Sequence, residues 1–114
     1  AHSIRRHVPS IHKNPFPDLI IGDNDSKSCD TKFTKITENE LMKSGLQVNY
    51  NHPFKGGYLT RSKGNPSQHI HAIQLEMCKD LYMNHNETKY EEKKAVKIKK
   101  ILKNTFQHLI ESLI

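Results

Sequence analysis

Cysteine is scarce, with only Cys29 and Cys78 among 114 residues. Two thiols make no disulfide framework and hold no metal cluster by themselves, so the default is a reduced protein of the cytoplasm. No positively charged start leads into an apolar run, and nothing approaches the roughly 20 apolar residues of a membrane span, so neither a secretory leader nor a membrane partner is expected. Hydrophobic residues are also few, at 34% with a mean hydropathy of −0.77. That is low for a self-sufficient α/β unit, and it suggests that part of the core comes from outside these residues. The length leaves room for one domain and one core. An initiator Met is missing too: the chain opens at Ala1-His2-Ser3, as a processed, trimmed or fragmentary chain would.

Positive charge is present in excess, with a net charge of +6, which raises nucleic acid as a partner. Its distribution argues otherwise. Much of the lysine lies between Lys89 and Lys103, near Glu87, Glu91 and Glu92, without aromatic interleaving or a groove-reading motif. This pattern describes the solvated face of a helix, and no nucleic-acid partner is expected.

The segment from His2 through Pro17 reads as a loop rich in turn formers and histidine. His2, His7 and His12 recur every five residues, outside helical register, so one metal site shared by all three is not expected and surface positions are the plain reading. Asp18-Leu19-Ile20-Ile21-Gly22-Asp23 reads as a short buried strand entering a turn, with turn chemistry preferred over metal binding for its acids. Lys32 to Ser44 reads as a helix with Asp30 or Thr31 as N-cap and Gly45 as C-cap, returning through the alternating strand Leu46–Tyr50. Pro53 and the paired Gly56-Gly57 then make an ordered loop at a strand end, where α/β sheets place binding residues. Arg61 follows, either an ordinary surface arginine or a planar fork for a substrate carboxylate. A long helix, roughly Tyr90 to Leu113, carries Ile98, Ile101, Leu102, Phe106, Leu109, Ile110 and Leu113 in one stripe, expected to face the sheet.

The organising stretch is Ile70-His71-Ala72-Ile73-Gln74-Leu75-Glu76, which has the length and punctuation of an interior strand ending in a carboxylate. Alternation puts Gln74 and Glu76 on one face and Ile73, Leu75 and Met77 on the other. A glutamate there either reaches solvent or a lysine, or is buried beside a partner. In the second case it is a candidate general base, because desolvation raises a carboxylate pKa.

Four separated pieces then coincide in order. They are His2-Ser3; Leu19-Ile20-Ile21-Gly22-Asp23 with Ser28-Cys29; Asn51-His52-Pro53-Phe54-Lys55-Gly56-Gly57; and His71-Ala72-Ile73-Gln74-Leu75-Glu76 running to Leu81-Tyr82-Met83. Together they resemble the carboxy-terminal part of the N-formylglutamate amidohydrolase family. The resemblance implies an α/β fold with a mixed, largely parallel sheet flanked by helices, like the zinc exopeptidases (phosphorylase/hydrolase-like), and an incomplete domain. It also implies zinc-dependent hydrolysis of N-formylglutamate, or a related N-acyl amino acid, to glutamate and formate in histidine breakdown. In that scheme His2 is a zinc ligand, Glu76 the general base and Arg61 the clamp on a small-molecule carboxylate substrate, with Gly56 and Gly57 lining its loop. Two further zinc ligands, a His and a carboxylate, belong to a part of the family's sequence before this stretch. Zinc binding would then need a missing amino-terminal half or an oligomer partner. The alternative is a catalytically inactive truncated homologue that acts as a binding or interaction domain.

Overall fold

The computed structural model, which describes residues 1–114, begins with a strand where a loop is expected: β1 (His2–Ile4) lies at one edge of a four-stranded sheet. The other strands are β2 (Leu19–Gly22), β3 (Val48–Tyr50) and β4 (Gln74–Cys78), and the spatial order is β1-β4-β2-β3. β1 pairs with β4 and β2 with β3 in parallel, while β2 and β4 run antiparallel. The sheet is therefore mixed and largely parallel, as expected. Three helices, α1 (Thr31–Met42), α2 (Tyr58–Lys63) and α3 (Glu92–Ser112), complete the regular structure, with single 3-10 turns at Pro66–Gln68 and Lys79–Leu81.

Two short clusters make the core, one on each face of the sheet. Leu19, Ile21, Leu75 and Met77 face α1 and α3, meeting Leu41 and Ile98. The opposite face carries Ile20 and Cys78 with Phe16, covered by Ile4 of β1 and by Val8 and Phe54 from loops rather than by helices. Each fully buried aliphatic side chain contributes about 1.5–3 kcal/mol. α1 starts at Asp30, whose Oδ1 accepts from the Lys32 N–H at 2.9 Å, and the chain leaves it through Gly45, held at φ +80°.

Three expectations change. The central strand is Gln74–Cys78, not Ile70–Glu76, so Glu76 stands mid-strand. Upstream, Asn65 and Ile70 bridge to each other while the Ala72 N–H donates to the Ser28 carbonyl at 2.8 Å, so those backbone groups are already taken. The loop after β3 contains α2, too short for any periodic signal. The stripe on α3 faces inward only in part: Ile98 is buried and Ile101 and Leu102 are half-buried, but Phe106, Ile110 and Leu113 are exposed. A 21-residue helix is about 30 Å long, and its distal half runs beside α1, with His108 Nδ1 3.5 Å from Glu40 Oε2. Thr105 fills the inward position there and donates to the Ile101 carbonyl at 2.9 Å.

Arg6 fastens the first loop. Its Nε and Nη2 donate to the two oxygens of Asp80 at 2.9 and 2.7 Å, Nη2 also to Asp18 at 2.7 Å, and Nη1 to the Phe16 carbonyl at 3.1 Å. This planar fork holds its charge more firmly than an ordinary arginine, chiefly through Asp80.

Candidate functional site

Glu76 lies between two ladder partners, His2 on β1 and Ile20 on β2. It is 8% exposed, and its carboxylate receives no hydrogen bond from the chain. Its ionisable neighbour across the ladder is His2, with Nδ1 3.8 Å from Oε2. Burial pushes the Glu76 pKa up, and His2 works against that shift. A carboxylate with no internal donor and a raised pKa can accept a proton from a bound water.

His2 presents a largely exposed ring, its side chain 66% accessible. One imidazole does not hold zinc, which needs three or four protein donors, and no group of three His, Cys, Asp or Glu in the chain is close enough to hold a metal ion. The residues present therefore do not amount to a zinc site. His7 is exposed, and His12 is half-buried and stacked on Phe16 at 5.6 Å.

The loop after β3 is folded back over the end of β2. Gly22 makes this possible: a Cβ there would stand 2.7 Å from the Lys55 carbonyl carbon and oxygen. The Asn24 N–H donates to that same carbonyl at 2.8 Å. Gly56 turns the chain at φ +129°, where a Cβ would also press on Thr60 at 2.8 Å. The Gly57 N–H then donates to Gln74 Oε1 at 2.6 Å, reaching the face of β4 that carries Glu76. Arg61, exposed on α2, approaches the Gly57 carbonyl with its backbone N–H at 3.1 Å and its Nε at 3.4 Å. Gly57 thus ties Arg61 to the strand of Glu76, while the guanidinium stays in solvent.

Behind the loop, Asp23 is fully buried yet completely partnered. It accepts from the Ser26 N–H at 2.8 Å, Asn51 Nδ2 at 2.9 Å, Thr34 Oγ1 at 2.9 Å and the Tyr50 hydroxyl at 2.7 Å. Burial alone would raise its pKa, but the donors from Tyr50, Asn51, Ser26 and Thr34 outweigh it and hold the carboxyl below its usual range. Asn51, at φ +56°, also accepts the Asp23 N–H at 3.0 Å through Oδ1 and starts the turn into the glycine loop.

Sequence reasoning brought out Glu76, His2, Arg61, Gly56 and Gly57. It read Asp23 as turn chemistry only, and did not single out Gln74, Gly22 or Asn51. Alternation along β4 was the available signal for Gln74, since it shares a face with Glu76. A cavity of about 800 Å³ beside this loop, lined by His12, Phe16, His52 and Pro53 among others, contains no carboxylate.

With this geometry in view, known proteins are informative. The family model described as N-formylglutamate amidohydrolase matches residues 1–83. An N-formylglutamate deformylase of Pseudomonas putida is 36% identical over 112 residues, covering 96% of this chain and 42% of the relative. One of Pseudomonas aeruginosa is 41% identical over 85 residues, covering 74% of this chain and 32% of the relative. A solved structure of N-formylglutamate amidohydrolase from Ralstonia eutropha superposes with a TM-score of 0.81 at 25% identity, covering 96% of this chain and 40% of the other. The chain thus spans about two-fifths of the length of relatives that it matches almost from end to end.

Proposed function

Because this chain belongs to the N-formylglutamate amidohydrolase family, we propose that it is the carboxy-terminal part of an enzyme that hydrolyses N-formyl-L-glutamate to formate and L-glutamate. The observation that carries the reading is Glu76: a carboxylate 8% exposed, without an internal donor, beside the exposed imidazole of His2. In the reaction, the oxygen of water bonds to the formyl carbon and the carbon–nitrogen bond breaks. Glu76 takes the proton from water as that bond forms and delivers it to the leaving nitrogen. Arg61 holds a carboxylate of the substrate, and the loop of Gly56 and Gly57 lets the substrate approach the backbone closely. Fixing the substrate in this way supports the reaction by orientation.

His2 is proposed as one ligand of a zinc ion whose remaining donors lie outside residues 1–114, on an amino-terminal part or a partner. A role in histidine breakdown in the cytoplasm belongs to the same proposal. The test is formate release from N-formyl-L-glutamate by the longest natural form of the protein, with Glu76→Ala and His2→Ala beside it and zinc content measured directly. Turnover should fall by about a hundredfold or more in Glu76→Ala, within the usual worth of a positioned acid or base, and His2→Ala should lose bound zinc. A folded, zinc-loaded protein without turnover rules out this substrate. A natural form that binds zinc in no stoichiometric amount leaves the inactive binding domain as the reading.

A further inference from the structure

Gln74 has an amide group that the proposed hydrolysis does not use. It opens β4 two residues before Glu76 and shares its face. Directly across the ladder is Gly22, the residue whose missing side chain admits the loop at Lys55. The Gly57 N–H meets Oε1 at 2.6 Å. A backbone N–H can only donate, so the oxygen of the Gln74 amide must be the atom facing it. The NH₂ group consequently turns away from Gly57 with both hydrogens unpaired by the protein. The residue is half-buried, and no buried polar side-chain atom in the chain lacks a partner, so Nε2 reaches solvent. It does so on the face of Glu76, next to the glycine that anchors Arg61. Gln74 and Arg61 are thus both held by Gly57, the first through its N–H and the second through its carbonyl.

We propose that Gln74 is a substrate-binding residue: its Nε2 donates to an oxygen of the same substrate carboxylate that Arg61 holds, and Gly57 sets the spacing of the two donors. A carboxylate offers about four acceptor directions on two oxygens, enough for a guanidinium fork and one further N–H. A neutral amide adds a direction without adding a second cation. It therefore favours planar carboxylates over tetrahedral anions and fixes how the bound group is rotated towards Glu76. The inference rests on the reading of Arg61 as a carboxylate clamp.

The experiment is an NMR titration of the longest natural form, zinc-loaded where it binds zinc, with L-glutamate and N-formyl-L-glutamate, following the side-chain amide of Gln74. Gln74→Glu and Gln74→Leu are assayed for binding and turnover. The Gln74 side-chain signals should move on saturation. Gln74→Leu should weaken binding about tenfold, the worth of one hydrogen bond to a charged group, with kcat changed less than threefold. Gln74→Glu keeps the acceptor for the Gly57 N–H but loses the donor and repels the ligand, so it should bind more weakly still. If Gln74 only supports the loop, Gln74→Glu should bind like the parent. That result, or unmoved signals at saturation, overturns the proposal while turnover by the parent leaves the hydrolase reading standing. Moving signals without turnover do the reverse, and an absence of any binding overturns both.

Discussion

Replacing Asp23 should be among the costliest single changes in this chain. The carboxylate accepts four hydrogen bonds of 2.7–2.9 Å while fully buried. A hydrogen bond to a charged group contributes about 1.5–3 kcal/mol, but the four cannot simply be added. Tyr50 is 39% exposed and has Ser26 Oγ at 3.2 Å, so its hydroxyl can find other company. Thr34 is 4% exposed and would keep no obvious substitute. Losing two bonds fully and leaving one buried hydroxyl unpaired sets the loss for Asp23→Ala at about 3–5 kcal/mol. Asp23→Asn keeps one oxygen for Ser26 and Asn51, and its NH₂ can donate to rotated hydroxyls, so about 1–2 kcal/mol should go. Urea unfolding followed by far-UV circular dichroism measures both. The parent should also lose stability in acid that Asp23→Asn does not lose: a depressed carboxyl stabilises the fold above its ordinary value of 3.8, and that contribution disappears as pH falls below it towards the folded value. Equal losses for the two variants, or less than about 1 kcal/mol for Asp23→Ala against a total near 5–15 kcal/mol, would refute the reasoning.

Gly22→Ala should displace the loop at Lys55, costing about 1–3 kcal/mol as overfilled sites do. The Gly57 amide should then exchange with deuterium faster than in the parent, and unchanged protection would contradict the contact. Arg6→Ala should lose about 2–4 kcal/mol through its bonds to Asp80 and Asp18, and Arg6→Lys should restore only a minority of it because an ammonium cannot reproduce the fork. Thermal midpoints of the three proteins decide the matter, and full restoration by lysine would show that charge alone suffices.

How legible all this was depended on the range of each signal. β2 shows itself as a run of four residues, all buried between two faces, and α1 and α3 by spacing and by the cap at Asp30, which are local properties. Glu76 was legible because alternation assigns faces even when a strand's ends are misplaced. β1 was not, since three exposed or half-exposed residues carry no pattern and their ladder partners Glu76, Met77 and Cys78 are distant in sequence. Which part of the α3 stripe is covered depended on its packing against α1, which its own sequence does not encode. The fork of Arg6 was not legible, because its partners Asp18 and Asp80 lie 12 and 74 residues along the chain. Likewise the free hydrogens of Gln74 follow from Gly57, and nothing near Gln74 in sequence announces them.

The place of His2 on a three-residue edge strand has a consequence for the equilibrium of the site. Its register opposite Glu76 closes a loop from residue 2 to residue 76, and contacts that join distant parts of a chain bear their entropic cost before they are rewarded. At equilibrium a strand this short and exposed opens more often than the buried strands beside it. Glu76 is held by the inner ladder through Ile20 whether or not β1 is in place, but the imidazole beside it comes and goes with β1. The pairing of these two groups is thus an equilibrium with a lifetime of its own, and whatever lengthens the stay of β1 on the sheet raises the fraction of molecules in which the site is assembled.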